Sequence, residues 1–243
     1  MKRARVAYAG AIHDAVPHEK GLQLADGRVL AEDQVVWLPP FELGTVIALG
    51  LNYAKHAKEL SFGKQSEPLA FLKSPQAIIG HNGQTRRTAE ATFMHYECEL
   101  AVVIGKTARK VSQEDAMDHV AGYTVANDAT ARDLQESHRQ WFKGKSLDGS
   151  CPVGPWLVTA DEVAEPHNID MRMYVNGELR QELNTRDMIW DIPAIIESLS
   201  RGYTLEPGDI IATGTGAGCG FGFDPPKFLN PGDVVRAEID GIT

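Results

Sequence analysis

Cysteine is scarce in this 243-residue chain and poorly placed for bonding: Cys98, Cys151 and Cys219 are odd in number and form no CxxC. That excludes a disulfide scaffold and a cysteine zinc site, and fits a reduced, cytoplasmic protein. Long apolar runs are also missing; none approaches the roughly 20 residues needed to cross a bilayer. The opening MKRARVAYAGAIHDAV is basic but has no adequate apolar segment before His13 and Asp14, so no signal peptide is expected. Positive charge is in deficit. Lys and Arg number 24 against 33 Asp and Glu, a formal net charge of −9. A general nucleic-acid binder needs a basic footprint, which this balance does not supply. Aromatics make up 7% and are dispersed, so they form no stacking platform for single strands. The glycine-rich TGTGAGCGFG fits GxGxxG in no frame and lacks the Lys of a P-loop, which excludes both nucleotide fingerprints.

What is present is an ordinary globular composition, 43% hydrophobic and 23% charged, with one unusual strand. In HYECELAVVIG a continuous apolar run, Leu100 to Ile104, is preceded by Glu97 and Glu99. Side chains two apart on a strand share a face, roughly 6–7 Å apart at their Cα atoms. Two carboxylates at the edge of a core repel unless a cation lies between them or one takes a proton. The plain alternative is that the strand begins in water. A third carboxylate, Asp128, follows the apolar YTVA and precedes a helical stretch. Asp128 or Thr130 could equally cap that helix, with Thr130 and Asp133 forming a capping box. Taken together, three carboxylates without His or Cys suit a hard cation, Mg²⁺ first and Mn²⁺ second.

Three further residues carry chemistry. His56 and Glu59 in NYAKHAKEL are neighbours on one helical face, where Glu could orient the imidazole as an acid/base dyad. A solvated Lys- and Glu-rich helix is the alternative. Lys145 in KGKSLDGSCPVGP lies between glycines and a turn, where a lone cation could point inward or simply meet water.

Along the chain, residues 1–42 read as a small β-rich N-terminal domain, with Asp26-Gly27 as a hairpin turn and Pro39-Pro40 closing the unit. Residues 43–243 read as the main domain. Within it SQEDAMDHVAGY is expected to be an amphipathic helix capped by Ser112, and GYTVANDATARDLQESHRQW a strand followed by a helix. Asn176-Gly177 marks a hairpin, MIWDIPAIIESLSRG a helix, and two Pro-Gly-Asp turns launch strands. Mostly β with a few helices implies a folded, barrel-like sheet and not a doubly wound one.

GLNYAKHAKEL, HYECELAVVIGK, GYTVANDATARDLQ, GKSLDGSCPVGPW, VNGELRQELNTRDMIWDIPAII and EPGDIIATGTGAG occur in the order seen in the fumarylacetoacetate hydrolase family. The chain resembles that family from about residue 45 to its end. The resemblance implies a mixed, rolled β-sheet, usually in a homodimer, holding Mg²⁺ or Mn²⁺ and acting on a small 2-oxo acid. It implies Glu97, Glu99 and Asp128 as metal ligands and Lys145 as the stabiliser of negative charge on the substrate. Gln135 and Thr215 would hold substrate oxygens, and His56 with Glu59 would activate water in hydrolytic members. Arg86, Arg87, Arg139 and Arg186 are candidates for a second carboxylate, with a surface location the expected one for each. The N-terminal third looks like the homoprotocatechuate-pathway isomerase/decarboxylases, the middle like acylpyruvate hydrolases. A domain that binds without catalysing is the contrasting class, and retention of the whole constellation argues against it. Two positions depart from the family pattern: Lys55 where NYxxH usually carries Asp, and Thr215-Gly216 where GTP is common. A lid around residues 60–68 is expected to order on ligand binding.

Overall fold

The computed structural model describes residues 1–59 and 65–243, with the backbone alone for residues 57–59. The Ser61-Phe62-Gly63 part of the expected lid lies outside the described residues. The alternation within the central strand Cys98–Ile104 divides the interior in two. Cys98, Leu100, Val102 and Ile104 face a larger apolar cluster with Tyr53, Met171, Ile195 and Leu199. Ala101 and Val103 face the other side, with Val46, Ala126 and Ile210. Being buried on both faces explains why this strand reads as an unbroken apolar run.

Around it curls an eleven-stranded sheet. Cys98–Ile104 pairs antiparallel with Val120–Asn127 on one side and with Ile210–Ala212 on the other. Ile210–Ala212 pairs parallel with Val46–Gly50, and Leu69–Lys73 closes that edge. In the other direction the sheet continues through Leu157–Thr159 to Lys2–Tyr8. Lys2–Tyr8 joins two regions: Lys2 and Arg3 pair with Leu157–Thr159, while Ala4 to Tyr8 pair with Ala11–His18. The first 40 residues keep an apolar cluster of their own around Val6, Leu22, Leu24 and Trp37. The fold is mostly β with a mixed sheet, as expected.

A separate three-stranded sheet pairs Asp170–Val175 with Glu178–Asn184 and with Val235–Ile239. Its hairpin turns at Asn176 and Gly177, with φ of 51° and 82°, the paired left-handed conformation that Asn-Gly favours. Among the described residues there are four α-helices, the short α1 (Ala54–Glu59), α2 (Arg132–Glu136) and α3 (Phe142–Lys145), and the longer α4 (Ile192–Gly202). Only α4 is long and strongly amphipathic, its N-terminus capped by Asp191, which accepts from the Ala194 N–H at 2.9 Å. None is long and apolar enough to cross a membrane.

Two expectations fail locally. SQEDAMDHVAGY is not an α-helix: Ala116–His119 makes one 3₁₀ turn and Val120 already begins a strand. The His119 carbonyl accepts from the Gly105 N–H at 2.7 Å and Val120 pairs with Ile104, so the ladder claims the residues a helix would need. Ser112 does not cap that turn either: its Oγ accepts the Asp115 N–H at 3.4 Å just ahead of it, and the turn has no side-chain cap. The helix expected after YTVANDAT is broken into α2 and α3. Nor does Asp128 or Thr130 cap it, because the residue before α2 is Ala131, with no side-chain cap.

Candidate active site

The register of two strands assembles the three carboxylates. Cys98 opposes Asn127, so the next pair outward is Glu97 and Asp128, joined by the Asp128 N–H donating to the Glu97 carbonyl at 3.0 Å. Glu99, two residues along, returns to the same face. Glu97, Glu99 and Asp128 are all buried, and each offers an oxygen within 4.8 Å of the others. The strand therefore does not begin in water.

Lys145 answers the charge. Its Nζ donates to Glu97 Oε2 at 2.7 Å and to Asp128 Oδ2 at 2.8 Å. The last turn of α3 delivers it there because Gly144 lets α3 touch α2. A Cβ on Gly144 would sit 2.6 Å from the Gln135 Cβ and 2.7 Å from the Ala131 carbonyl oxygen. Thr130 Oγ1 donates to Glu97 Oε1 at 3.0 Å, and His95 Nδ1 lies 3.7 Å from the same oxygen. Glu99 Oε2 accepts the Gly214 N–H at 2.8 Å, presented by a backbone with φ of 92° that suits glycine.

The electrostatics of the cluster are uneven. Burial would raise the Glu97 pKa, but Lys145 and the nearby His95 and His56 outweigh it and hold Glu97 down at about 2. Glu99 moves the other way: burial first, then the Asp128 and Glu97 charges, push it well above the carboxylate range. Burial would lower Lys145, yet Asp128, Glu97 and Glu99 raise it. The cluster thus favours positive charge at its centre. Three buried carboxylates with only oxygen donors fit a hard divalent cation, which would relieve the repulsion at Glu99.

Glu97 and Lys145 open onto a cavity of about 490 Å³, whose wall includes His56, Gln135, Thr215, Arg132 and Phe221. The structure therefore brings together His56, Glu97, Gln135, Lys145 and Thr215, with Glu99 and Asp128 behind them. Glu59 ends α1, and its side chain lies outside the described residues. His56 Nδ1 lies 4.0 Å from the buried Cys219 Sγ. Thr215 Oγ1 is held by donating to the Cys98 carbonyl at 2.8 Å and accepting from Gln181 at 2.9 Å. Lys55, at the departure from NYxxH, is exposed and 3.5 Å from Asp187.

Sequence reasoning missed two cations. Arg132 is buried, its guanidinium carbon 4.4 Å from the Phe221 ring centroid and its Nε without a hydrogen-bond partner. Among the described residues it enters no ion pair. Arg86, Arg87, Arg139 and Arg186 are all exposed and outside the cavity wall, so the arginine facing the cavity is a fifth one. Lys73, at the end of Leu69–Lys73, is buried with its Nζ 2.5 Å from Asp128 Oδ1. In AFLKSPQ a lysine closing an apolar strand reads as a solvated strand end, and in TARD the arginine beside Asp133 reads as helix surface.

The described features match known proteins. The model of the C-terminal domain of fumarylacetoacetate hydrolase matches residues 45–243. A 4-hydroxyphenylacetate degradation bifunctional isomerase/decarboxylase from Salmonella dublin is 48% identical over 92% of the chain, which spans only 52% of that relative. An oxaloacetate tautomerase from Bacillus subtilis is 51% identical over 81% of the chain and 66% of the relative. The solved fumarylacetoacetate hydrolase of Exiguobacterium antarcticum superposes with a TM-score of 0.89 at 38% identity, covering 100% of this chain and 96% of that one. With its motifs in order, its mixed sheet and its buried carboxylates on the two central strands, the chain belongs to the fumarylacetoacetate hydrolase family.

Proposed function

We propose that this protein is a divalent-metal-dependent decarboxylase/isomerase of 2-oxo di- or tricarboxylic acids in the breakdown of aromatic compounds. The observation that carries this reading is the cluster of Glu97, Glu99 and Asp128 beside Lys145, opening on a cavity that also presents Arg132. Bound by those three carboxylates, Mg²⁺ or Mn²⁺ would supply Lewis-acid charge toward the carboxylate and oxo oxygens of a 2-oxo acid. Lys145 donates to the oxygen that becomes the enolate when CO₂ leaves or a proton shifts. Fixed charge aimed at that point is worth several kcal/mol. Arg132 and Gln135 take the distal carboxylate, which the guanidinium fork suits. Thr215 borders the oxo end, and His56 returns a proton to carbon. The 48% identity to an isomerase/decarboxylase supports this assignment.

His56 in the cavity wall favours a second reading, hydrolysis of a C–C bond in an acylpyruvate, with His56 activating water. Tautomerisation of oxaloacetate, the activity named for the 51% relative, passes through the same enolate and needs no water. The test is CO₂ release from 5-oxopent-3-ene-1,2,5-tricarboxylate, with Mg²⁺ and after chelation. Fast, Mg²⁺-dependent release is expected. No release, together with cleavage of an acylpyruvate that His56→Ala abolishes, would replace the first reading by the second.

A further inference from the structure

Lys73 lies behind the cluster, on the outer strand of the sheet, and does not line the cavity. Its Nζ bridges two parts of the site. It donates to Asp128 Oδ1 at 2.5 Å and to the backbone carbonyl of Lys145. Asp128 is therefore gripped on both oxygens, by Lys73 on Oδ1 and by Lys145 on Oδ2 at 2.8 Å. The neighbouring residues repeat the link, the Ser74 N–H donating to Ser146 Oγ at 3.0 Å. Phe71, two residues before Lys73, packs edge-on to Trp141 at 5.3 Å, next to α3. The end of the strand is thus tied to α3 at three points, at Trp141 before its first turn and at Lys145 and Ser146 at its end, and of these only the Lys73 link also touches a carboxylate of the cluster.

We infer that Lys73 is a positioning residue of the metal site, fixing Asp128 directly and Lys145 through its backbone carbonyl. The inference rests on the proposed reading of Glu97, Glu99 and Asp128 as metal ligands. A buried ammonium held only to balance charge would leave the site's geometry unaffected. A positioning group instead fixes which oxygen of Asp128 faces the cation and where the Lys145 stem begins. Outer partners of metal ligands typically govern affinity or turnover by about 10–100-fold.

The test is Mn²⁺ binding, followed by electron paramagnetic resonance, in the wild type, Lys73→Met, Asp128→Asn and the double variant, with folding checked by circular dichroism. The wild type is expected to bind Mn²⁺, and Lys73→Met to bind it about 10–100-fold more weakly. The kcat of Lys73→Met should fall while KM changes little. In the Asp128→Asn background, removing Lys73 should add little further loss, because the partner it acts on is already gone. The double variant buries neither charge, so it serves where Lys73→Met alone does not fold. Unchanged or tighter Mn²⁺ binding in folded Lys73→Met would overturn the inference, tighter binding being what a merely repelling charge gives. Fully additive losses in the double variant would also overturn it. A wild type that does not bind Mn²⁺ would instead refute the metal reading beneath it.

Discussion

Arg132 is the residue whose chemistry is least used by the protein itself. Buried arginines normally have an anionic partner, yet its surroundings are an aromatic ring and the cavity. Under the proposed function, a substrate carboxylate would complete it. Replacing Arg132 by Met should raise KM for a dicarboxylic substrate about 10–100-fold, the loss of a charged hydrogen bond of about 1.5–3 kcal/mol. Initial rates on substrates with and without the distal carboxylate check this, and an equal effect on both would contradict the role. Glu97, Glu99 and Asp128 were legible because a carboxylate pair on a buried strand is anomalous whatever the fold. Lys73 and Arg132 were not, because each meets its partners only through tertiary packing. Nothing in AFLKSPQ indicates that the strand's last side chain will turn inward to Asp128.

At the scale of elements, α4 is held by two caps of different pH sensitivity. Asp191 accepts from Ala194, and His167 Nε2 accepts the Ile192 N–H at 3.1 Å from outside the helix. Burial lowers the His167 pKa below 6.5, with Asp191 partly opposing it. A depressed histidine pKa means the unfolded chain binds the proton more readily. Its stabilisation is therefore complete above about pH 6.5 and is lost as pH falls through the folded value. The urea midpoint should drop between pH 7.5 and pH 5, and drop less in His167→Gln, whose amide oxygen accepts at either pH. An identical pH slope in the two proteins would contradict this cap. The α4 helix, the Asn176-Gly177 hairpin and the strands after both Pro-Gly-Asp turns were readable from local signals. The SQEDAMDHVAGY segment was not, because its Ala, Met and Val spacing suits a helix while the ladder to Ile104 and Gly105 decides otherwise.

At the scale of the whole molecule, the central register of the eleven-stranded sheet creates the site, so the site forms only when residues far apart in sequence have paired. The family resemblance made the rolled, mixed sheet readable in advance, whereas the joining of Lys2–Tyr8 to Leu157–Thr159 depends on pairing across the whole chain. We also propose that the protein is a homodimer, supported by Leu72 and Phe142, more than half exposed on adjacent elements at the sheet's outer edge. Sedimentation equilibrium should give twice the chain's 26.6 kDa, and a monomer mass would reject the proposal. The central claim is that the buried carboxylates hold a divalent cation. Its most direct test is anomalous diffraction from crystals grown with Mn²⁺. One strong anomalous peak is expected among the oxygens of Glu97, Glu99 and Asp128. A map with no peak there, from protein that binds Mn²⁺ elsewhere or not at all, would contradict it.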